Sequence, residues 1–311
     1  MRERVHVREV GPRDGIQMVG TILSSERKLS WCRGAVAAGL RDIEVTSFVP
    51  AKVVPQFVDA EDVARGAMTI AGLRPSALVP NLRGAERAFS LGIPLVNYVL
   101  SASEAHNLAN VRRTTDESMA DFVRIVAARD AHPGPRIALG AGIATSFGCT
   151  IAGAVSEVRV VELAEQYAAA GADEIIVADT VGYADPGQVR RLMGKVVAAV
   201  GKLPVLCHFH DTRGLGLANV VAALEAGVRA FDASLAGLGG CPFAPGATGN
   251  INTEDTVYLL EQLGFDTGAD VEALVTLRRE VESWLPGERF SGAIARAGLP
   301  KTYRPRLGAA A

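Results

Sequence analysis

Eight short apolar runs rich in β-branched residues recur along the chain, each followed by a stretch of helical period. This alternation limits the fold more than any other feature. The runs fall at 5–10, 42–46, 75–80, 95–101, 137–144, 174–178, 203–210 and 230–234. Continuous apolar runs of this length read as strands covered on both faces, as in parallel sheets. Helices are expected between them at 24–38, 59–71, 84–91, 116–131, 156–170, 186–200 and 215–226, with two more at 253–263 and 271–283. A polar loop is expected from the fourth strand through Arg113. Most helix exits carry a glycine, namely Gly39, Gly72, Gly92, Gly171, Gly201 and Gly227, the residue that commonly stops a helix. Pro186 opens its helix, where the missing N–H is harmless. Eight strands alternating with helices make an α/β chain whose economical fold is one (β/α)8 TIM barrel over 1–265. A C-terminal helical extension and basic tail of the same domain follow at 266–311. A doubly wound open sheet is the alternative, and no G-x-G-x-x-G follows the first strand to support it.

Composition narrows the partners. The chain of 311 residues is 49% hydrophobic and 21% charged, enough to bury a large core. A net charge of -2 gives no reason to expect nucleic acid or an anionic membrane as partner. No apolar run is long enough to span a bilayer. The 4 cysteines, at 32, 149, 207 and 241, have no paired spacing for a disulfide framework or a zinc knuckle. With a first strand expected from residue 5, leaving no room for a leader, this predicts a cytoplasmic location.

In such a barrel the active site lies at the C-terminal ends of the strands. There, residues 207–214 run from an apolar strand into the polar stretch His-Phe-His-Asp-Thr-Arg-Gly. Alternation along the strand points His208 and His210 one way, Cys207 and Phe209 the other. Two imidazoles side by side can bind one divalent metal. Two unrelated histidines are the plainer alternative, but with 5 His in the chain, two on one face before Asp211 favour the metal. Other strand ends add Arg13 and Asp14, Glu44 and Thr46 on one face, Asn81, and Asp179 with Thr180. The loop after the eighth strand adds Cys241 and Asn250. Imidazole, carboxylate and amide oxygen together suit Mg²⁺, Mn²⁺ or Co²⁺, with Zn²⁺ also compatible. The glycine-rich loop 237–250, stiffened by Pro242 and Pro245, has the make-up of a lid. A thiol on it, with an ordinary pKa of about 8.5, is protonated near neutral pH and can act as an acid.

These stretches resemble the hydroxymethylglutaryl-CoA lyases, within the metal-dependent lyase and Claisen-condensing barrels. The resemblance rests on Glu-Val-Gly-Pro-Arg-Asp-Gly at 9–15, Ile-Glu-Val-Thr-Ser-Phe-Val at 43–49, Asp-Thr-Val-Gly at 179–182, His-Phe-His-Asp-Thr at 208–212 and, above all, the loop 236–250. It implies retro-Claisen cleavage of a 3-hydroxy-3-methylglutaryl thioester by a carbon–carbon lyase. By the same resemblance Asp14, His208, His210 and Asn250 hold the cation, Mg²⁺ or Mn²⁺. Arg13 stabilises the enolate oxygen, Cys241 protonates the enolate carbon, and Asp14 is the candidate base. Glu44 orients Arg13 or a metal-bound water, and Asp179 supports the metal ligands. Gln17, Thr46, Asn81, Thr180, Gly142 and Arg213 border an acyl-CoA substrate. Lys52, Arg83 and Arg113 are basic candidates for the CoA phosphates, and a homodimer is expected by analogy.

The chain also departs from the family pattern. Met18 and Val19 follow Gln17 where the lyases read Asn-Glu. Gly140 and Gly142 stand where the lyases carry Arg and Tyr, which is expected to enlarge the acyl pocket, and Arg213 supplies a charge where Tyr is usual. Citramalyl-CoA and prenylated hydroxyglutaryl-CoA are therefore alternative substrates. A Claisen-condensing acyltransferase is a further alternative, although such enzymes usually carry a regulatory domain beyond the barrel. A non-catalytic CoA- or metal-binding barrel would have no use for Cys241.

Overall fold

All eight apolar runs become parallel strands, and the strands close on themselves. In the computed structural model, which describes residues 2–240 and 249–304, the strands are β1 (His6–Glu9), β2 (Asp42–Ser47), β3 (Arg74–Val79), β4 (Leu95–Ser101), β5 (Ala138–Ala144), β6 (Glu174–Asp179), β7 (Val205–Phe209) and β8 (Ala230–Ala233). Each pairs in parallel with the next, and β8 returns to β1. The helices between them are α1 (Ser25–Ala37), α2 (Ala60–Met68), α3 (Leu82–Ser90), α4 (Glu104–Val111), α5 (Thr115–Asp130), α6 (Glu157–Ala170), α7 (Pro186–Val200) and α8 (Gly216–Glu225). After β8 come α9 (Thr253–Gln262), α10 (Val271–Trp284) and the single turn α11 (Ile294–Ala297). This is a (β/α)8 TIM barrel, with α10 packed against α1.

Local chemistry sets the ends of these elements. Side-chain oxygens of Ser24, Ser103, Ser156, Asp185, Asn252 and Asp270 accept from the first free N–H groups of their helices. Thr114 and Glu117 form a reciprocal capping box. At the other ends, all six glycines expected to stop helices have positive φ, from 63° at Gly201 to 101° at Gly171. Residues with a Cβ adopt that conformation only at a cost.

Two expectations fail locally. The stretch expected as a loop through Arg113 contains α4. Its buried face carries His106 and Asn107 instead of apolar residues. Asn107 earns that burial through hydrogen bonds from Ser101 N–H to Oδ1 at 2.9 Å and from Nδ2 to Arg113 O at 2.8 Å, so hydrophobic periodicity does not reveal the helix. The second failure is in β2, where the register shifts between Glu44 and Thr46. Glu44 pairs with Ser76, but Thr46 pairs with Ala77 and Ser47 with Leu78. The bulge breaks the alternation that would have put Glu44 and Thr46 on one face. Among the described residues, no helix is long and apolar enough to cross a membrane.

Two glycines separate strain from collision. Gly39 and Gly92 both end helices with positive φ, yet a Cβ at Gly39 would strike the carbonyl oxygen of Gly268, while one at Gly92 meets nothing within 4 Å. Urea unfolding should show Gly92→Ala losing about 1 kcal/mol and Gly39→Ala about 3 kcal/mol. Equal losses would contradict the packing described for Gly39.

Candidate metal and active site

The chain leaves β1 in a π-helical turn over Gly11–Gly15. The N–H of Gly15 donates to Val10 O at 3.2 Å and that of Ile16 to Gly11 O at 3.1 Å, each five residues back. Single turns of this kind concentrate at functional sites. Glu9, fully buried, anchors the turn. Its Oε1 accepts from the N–H of Gly11 at 2.8 Å and of Leu235 at 2.9 Å, and its Oε2 from the Thr253 hydroxyl at 2.6 Å. Gly11 is required because a Cβ there would collide with the Trp31 ring. The turn carries Arg13 and Asp14 to the barrel mouth, where both line its cavity.

Arg13 is held from two sides. Its Nε donates to Glu44 Oε2, and its Nη1 donates to Asp14 Oδ1 at 2.6 Å. Glu44 is in turn held by Asn97, whose Nδ2 donates to Oε1 at 2.7 Å. Across the mouth, the Nε2 atoms of His208 and His210 lie 3.2 Å apart, and His208 Nε2 is 3.9 Å from Asp14 Oδ2. His208 Nδ1 meets Asp232 Oδ2 at 3.0 Å. Backbone pairing between residues 209–211 and 249–251 sets Asn250 beside β7. Asn250 Nδ2 donates to Asp14 Oδ2 at 2.7 Å and to Leu238 O at 3.0 Å.

Electrostatics favour the ligand form of Asp14 and His210 but not of His208. Burial alone would raise the Asp14 carboxyl, but Arg13, His208 and His210 outweigh it and hold its pKa at about 2. His210 is pushed down to about 4, first by burial and then by His208. His208 moves the other way: burial lowers it, but the Asp232 hydrogen bond and the charges of Asp14 and Asp232 raise it. A divalent cation fits this set. One donor atom from each of Asp14, His208 and His210 lies within 4.8 Å of the others. The 3.2 Å between the imidazole nitrogens is close to the roughly 3 Å between neighbouring ligands of one octahedral ion. Asn250 Oδ1 is buried with no hydrogen-bond partner among the described residues, an acceptor that such an ion would satisfy.

A cavity of about 700 Å³ opens beside these groups. Gln17, Gly142 and Thr180 line it together with Arg13, Asp14, Glu44, His208 and His210. Four residues expected at the site are not among the described residues that line it. Asp179, next to the inward Ala178 and Thr180, faces away from the cavity. Its oxygens accept from the N–H groups of Tyr183 at 2.8 Å and Ala184 at 3.2 Å, and burial raises its pKa to about 6. Thr46 is displaced by the bulge, and its buried hydroxyl has no partner among the described residues. Asn81 caps α3 by accepting from Gly84 N–H at 3.0 Å. Arg213 donates to Val181 O and Gly182 O and stacks over Tyr183 at 4.4 Å, bracing the loop after β6. Of the basic candidates, Arg113 is paired with Asp121 at 2.6 Å. Cys241 lies outside the described residues.

The β5 glycines do not simply enlarge the pocket. A Cβ at Gly142 would stand 2.7 Å from Val99 Cγ2, and one at Gly140 would collide with the Asn97 amide, so β4 side chains fill that room. Sequence reasoning missed Asp232, Asn97 and Arg8. The signal was a charged or amide side chain inside a short apolar strand, where alternation sends it into the barrel.

Comparison with known proteins places this geometry in context. The sequence model of the HMGL-like family matches residues 4–281. The chain is 40% identical to hydroxymethylglutaryl-CoA lyase YngG of Bacillus subtilis over 280 residues, 90% of this chain and 93% of that protein. It is also 40% identical to the (R)-citramalyl-CoA lyase of Chloroflexus aurantiacus over 308 residues, 95% of each. An HMG-CoA lyase from Acinetobacter baumannii, solved with coenzyme A and 3-methylmalate, superposes with a TM-score of 0.90 at 41% identity, covering 97% of this chain and 98% of that one.

Glu9 makes a pH prediction. Burial raises its carboxyl from 4.5 to about 7 in spite of three donors. Its contribution to stability is therefore full below pH 4.5 and is lost as pH rises through 7. Glu9→Gln, which does not titrate, should gain up to about 3 kcal/mol on the wild type between pH 4 and pH 8 in denaturant unfolding. A difference that stays flat with pH would contradict the burial of an ionisable Glu9.

Proposed function

Because the chain belongs to the HMGL-like family, we propose that this barrel mouth cleaves 3-hydroxy-3-methylglutaryl-CoA to acetyl-CoA and acetoacetate, as a cation-dependent carbon–carbon lyase. The observation that carries the reading is the Asp14–His208–His210 cluster standing against the Arg13–Glu44 pair on one cavity. Asp14, His208 and His210 hold Mg²⁺ or Mn²⁺, and Asn250 offers Oδ1 as a further donor. When bound, the cation supplies Lewis-acid chemistry, making a hydroxyl more acidic and polarising a carbonyl oxygen.

The chain's own groups account for the rest of the step. Arg13 commits Nε to Glu44 and Nη1 to Asp14, which leaves Nη2 to meet the thioester oxygen. Negative charge grows there as the C2–C3 bond breaks, and one such donor is worth about 3–4 kcal/mol. Glu44, held by Asn97, keeps the guanidinium aimed. Arg13, His208 and His210 keep the Asp14 carboxyl ionised, and Asp14 is assigned the proton that leaves the C3 hydroxyl as the C2–C3 bond breaks, beside its place as a cation ligand. Cys241 is assigned the protonation of the enolate carbon, and its chain neighbour Gly240 lines the cavity. Gln17, Gly142 and Thr180 border the acyl group.

The citramalyl thioester is the second reading. Val99 over Gly142, with Ala144 and Ile176, makes a short apolar wall that suits a compact branched acyl group, and the (R)-citramalyl-CoA lyase relative aligns along nearly the whole chain. Steady-state assays with both thioesters decide between them. The reading expects the larger kcat/KM with hydroxymethylglutaryl-CoA, and a reversed preference gives the second substrate.

Acetyl-CoA release should depend on added Mg²⁺ or Mn²⁺ and stop with a chelator. Arg13→Gln should lower kcat by about 10²- to 10³-fold. Cys241→Ala should keep metal affinity and lose turnover. An active Cys241→Ala would remove the thiol from the mechanism.

A further inference from the structure

The cavity floor carries a second arginine that the proposed reaction does not use. Arg8 rises from β1, lines the cavity and is only 4% exposed. Its Nε donates to Asp232 Oδ1 at 2.7 Å and its Nη2 to Asp232 Oδ2 at 3.2 Å. Its Nη1 donates to Glu174 Oε1 at 2.7 Å. Barrel register sets the first partner, because Arg8 stands opposite Asp232 where β1 meets β8. Glycine at 140 permits the second. A Cβ there would lie 2.9 Å from Glu174 Oε1 and would collide with the Asn97 amide, so only a bare backbone lets the Glu174 carboxylate reach inward to Arg8.

Asp232 also meets His208 Nδ1 at 3.0 Å, through the oxygen that takes the longer Arg8 bond. A carboxylate gripped on both oxygens by a guanidinium accepts hydrogen bonds and does not donate them. A neutral His208, the form that can bind a cation, then carries its proton on Nδ1, which leaves Nε2 bare toward His210 and Asp14. We propose that Arg8 is a positioning residue of the metal site: by clamping Asp232 in a bidentate fork, it fixes the ring orientation and tautomer of His208. Partners of this kind behind a histidine ligand typically change metal affinity by about 10- to 100-fold. Lysine cannot reproduce the fork, because its ammonium is a point charge without planar paired donors.

The inference rests on the metal-site reading above, and its test reads metal affinity independently of turnover. Mn²⁺ would be titrated into purified metal-free protein and followed by electron paramagnetic resonance, with circular dichroism as the check on folding. Arg8→Met should weaken Mn²⁺ binding by about 10- to 100-fold, and Arg8→Lys should weaken it by a smaller factor. Asp232→Asn should weaken it as well, and adding Arg8→Met to Asp232→Asn should cost no further affinity, since Arg8 acts through Asp232. A merely structural ion pair would not produce that coupling. If Arg8→Met fails to fold, Arg8→Lys, which keeps the charge, decides the matter. Folded Arg8 variants that bind Mn²⁺ within about twofold of wild type, or losses that multiply in the double variant, would overturn the proposal alone. A wild-type protein that bound no Mn²⁺ would overturn the metal site and this proposal with it.

Discussion

Charge inside a closed barrel can be held only against opposite charge, and that constraint arranges the whole mouth. An unpaired buried ion costs several kcal/mol. Two guanidiniums stand at this mouth, Arg8 buried and Arg13 partly buried, and each lies between two carboxylates. One line of contacts runs from His208 through Asp232 and Arg8 to Glu174. The other runs from Asp14 through Arg13 and Glu44 to Asn97. The two lines approach each other at Gly140, the place on β5 where a side chain would strike both Asn97 and Glu174. Four carboxylates against two guanidiniums leave an excess of negative charge beside the two imidazoles. A divalent cation would match that excess, so the pairing that stabilises the barrel interior also shapes the proposed metal site.

Backbone devices deliver these side chains. Parallel strands bring all their C-terminal ends to one face, so residues distant in sequence meet there without a dedicated loop for each. The π turn after β1 supplies the two groups that a straight strand exit would not present, and Glu9 holds that turn to Leu235 and Thr253 on the far side of the closure. The bulge in β2 keeps Glu44 inward while turning Thr46 away. Pocket size follows from packing as much as from the residues on one strand, because Val99 and Asn97 of β4 occupy the space over the β5 glycines.

Much of this was legible in the sequence. Strands buried on both faces and glycines at helix exits have one-dimensional signatures, and the barrel follows from counting them. The histidine pair was legible because a period of two is enough to put His208 and His210 on one face. Four other expected residues are not among the described residues that line the cavity, for physical reasons. A bulge cannot be seen in the run at 42–46. Whether the strand-end Asp179 looks into the barrel or caps the next turn depends on one residue of register. Asn81 and Arg213 satisfy nearby backbone groups that the sequence does not reveal. Asp232 and Arg8 were overlooked because a single charge in an apolar strand reads as an exception, although in a barrel interior it has to find a partner.

The most direct test of the account is to follow the proton that ends the reaction. Hydroxymethylglutaryl-CoA would be turned over in deuterium oxide with Mn²⁺, and the thioester product weighed by mass spectrometry. A retro-Claisen step through an enolate predicts acetyl-CoA with one solvent deuterium in its methyl group, acetoacetate as co-product, and neither when the cation is chelated. Free CoA with intact hydroxymethylglutarate would mean thioester hydrolysis, and acetyl-CoA without deuterium would mean that no solvent-derived proton reaches the carbanion. Either result would contradict the account.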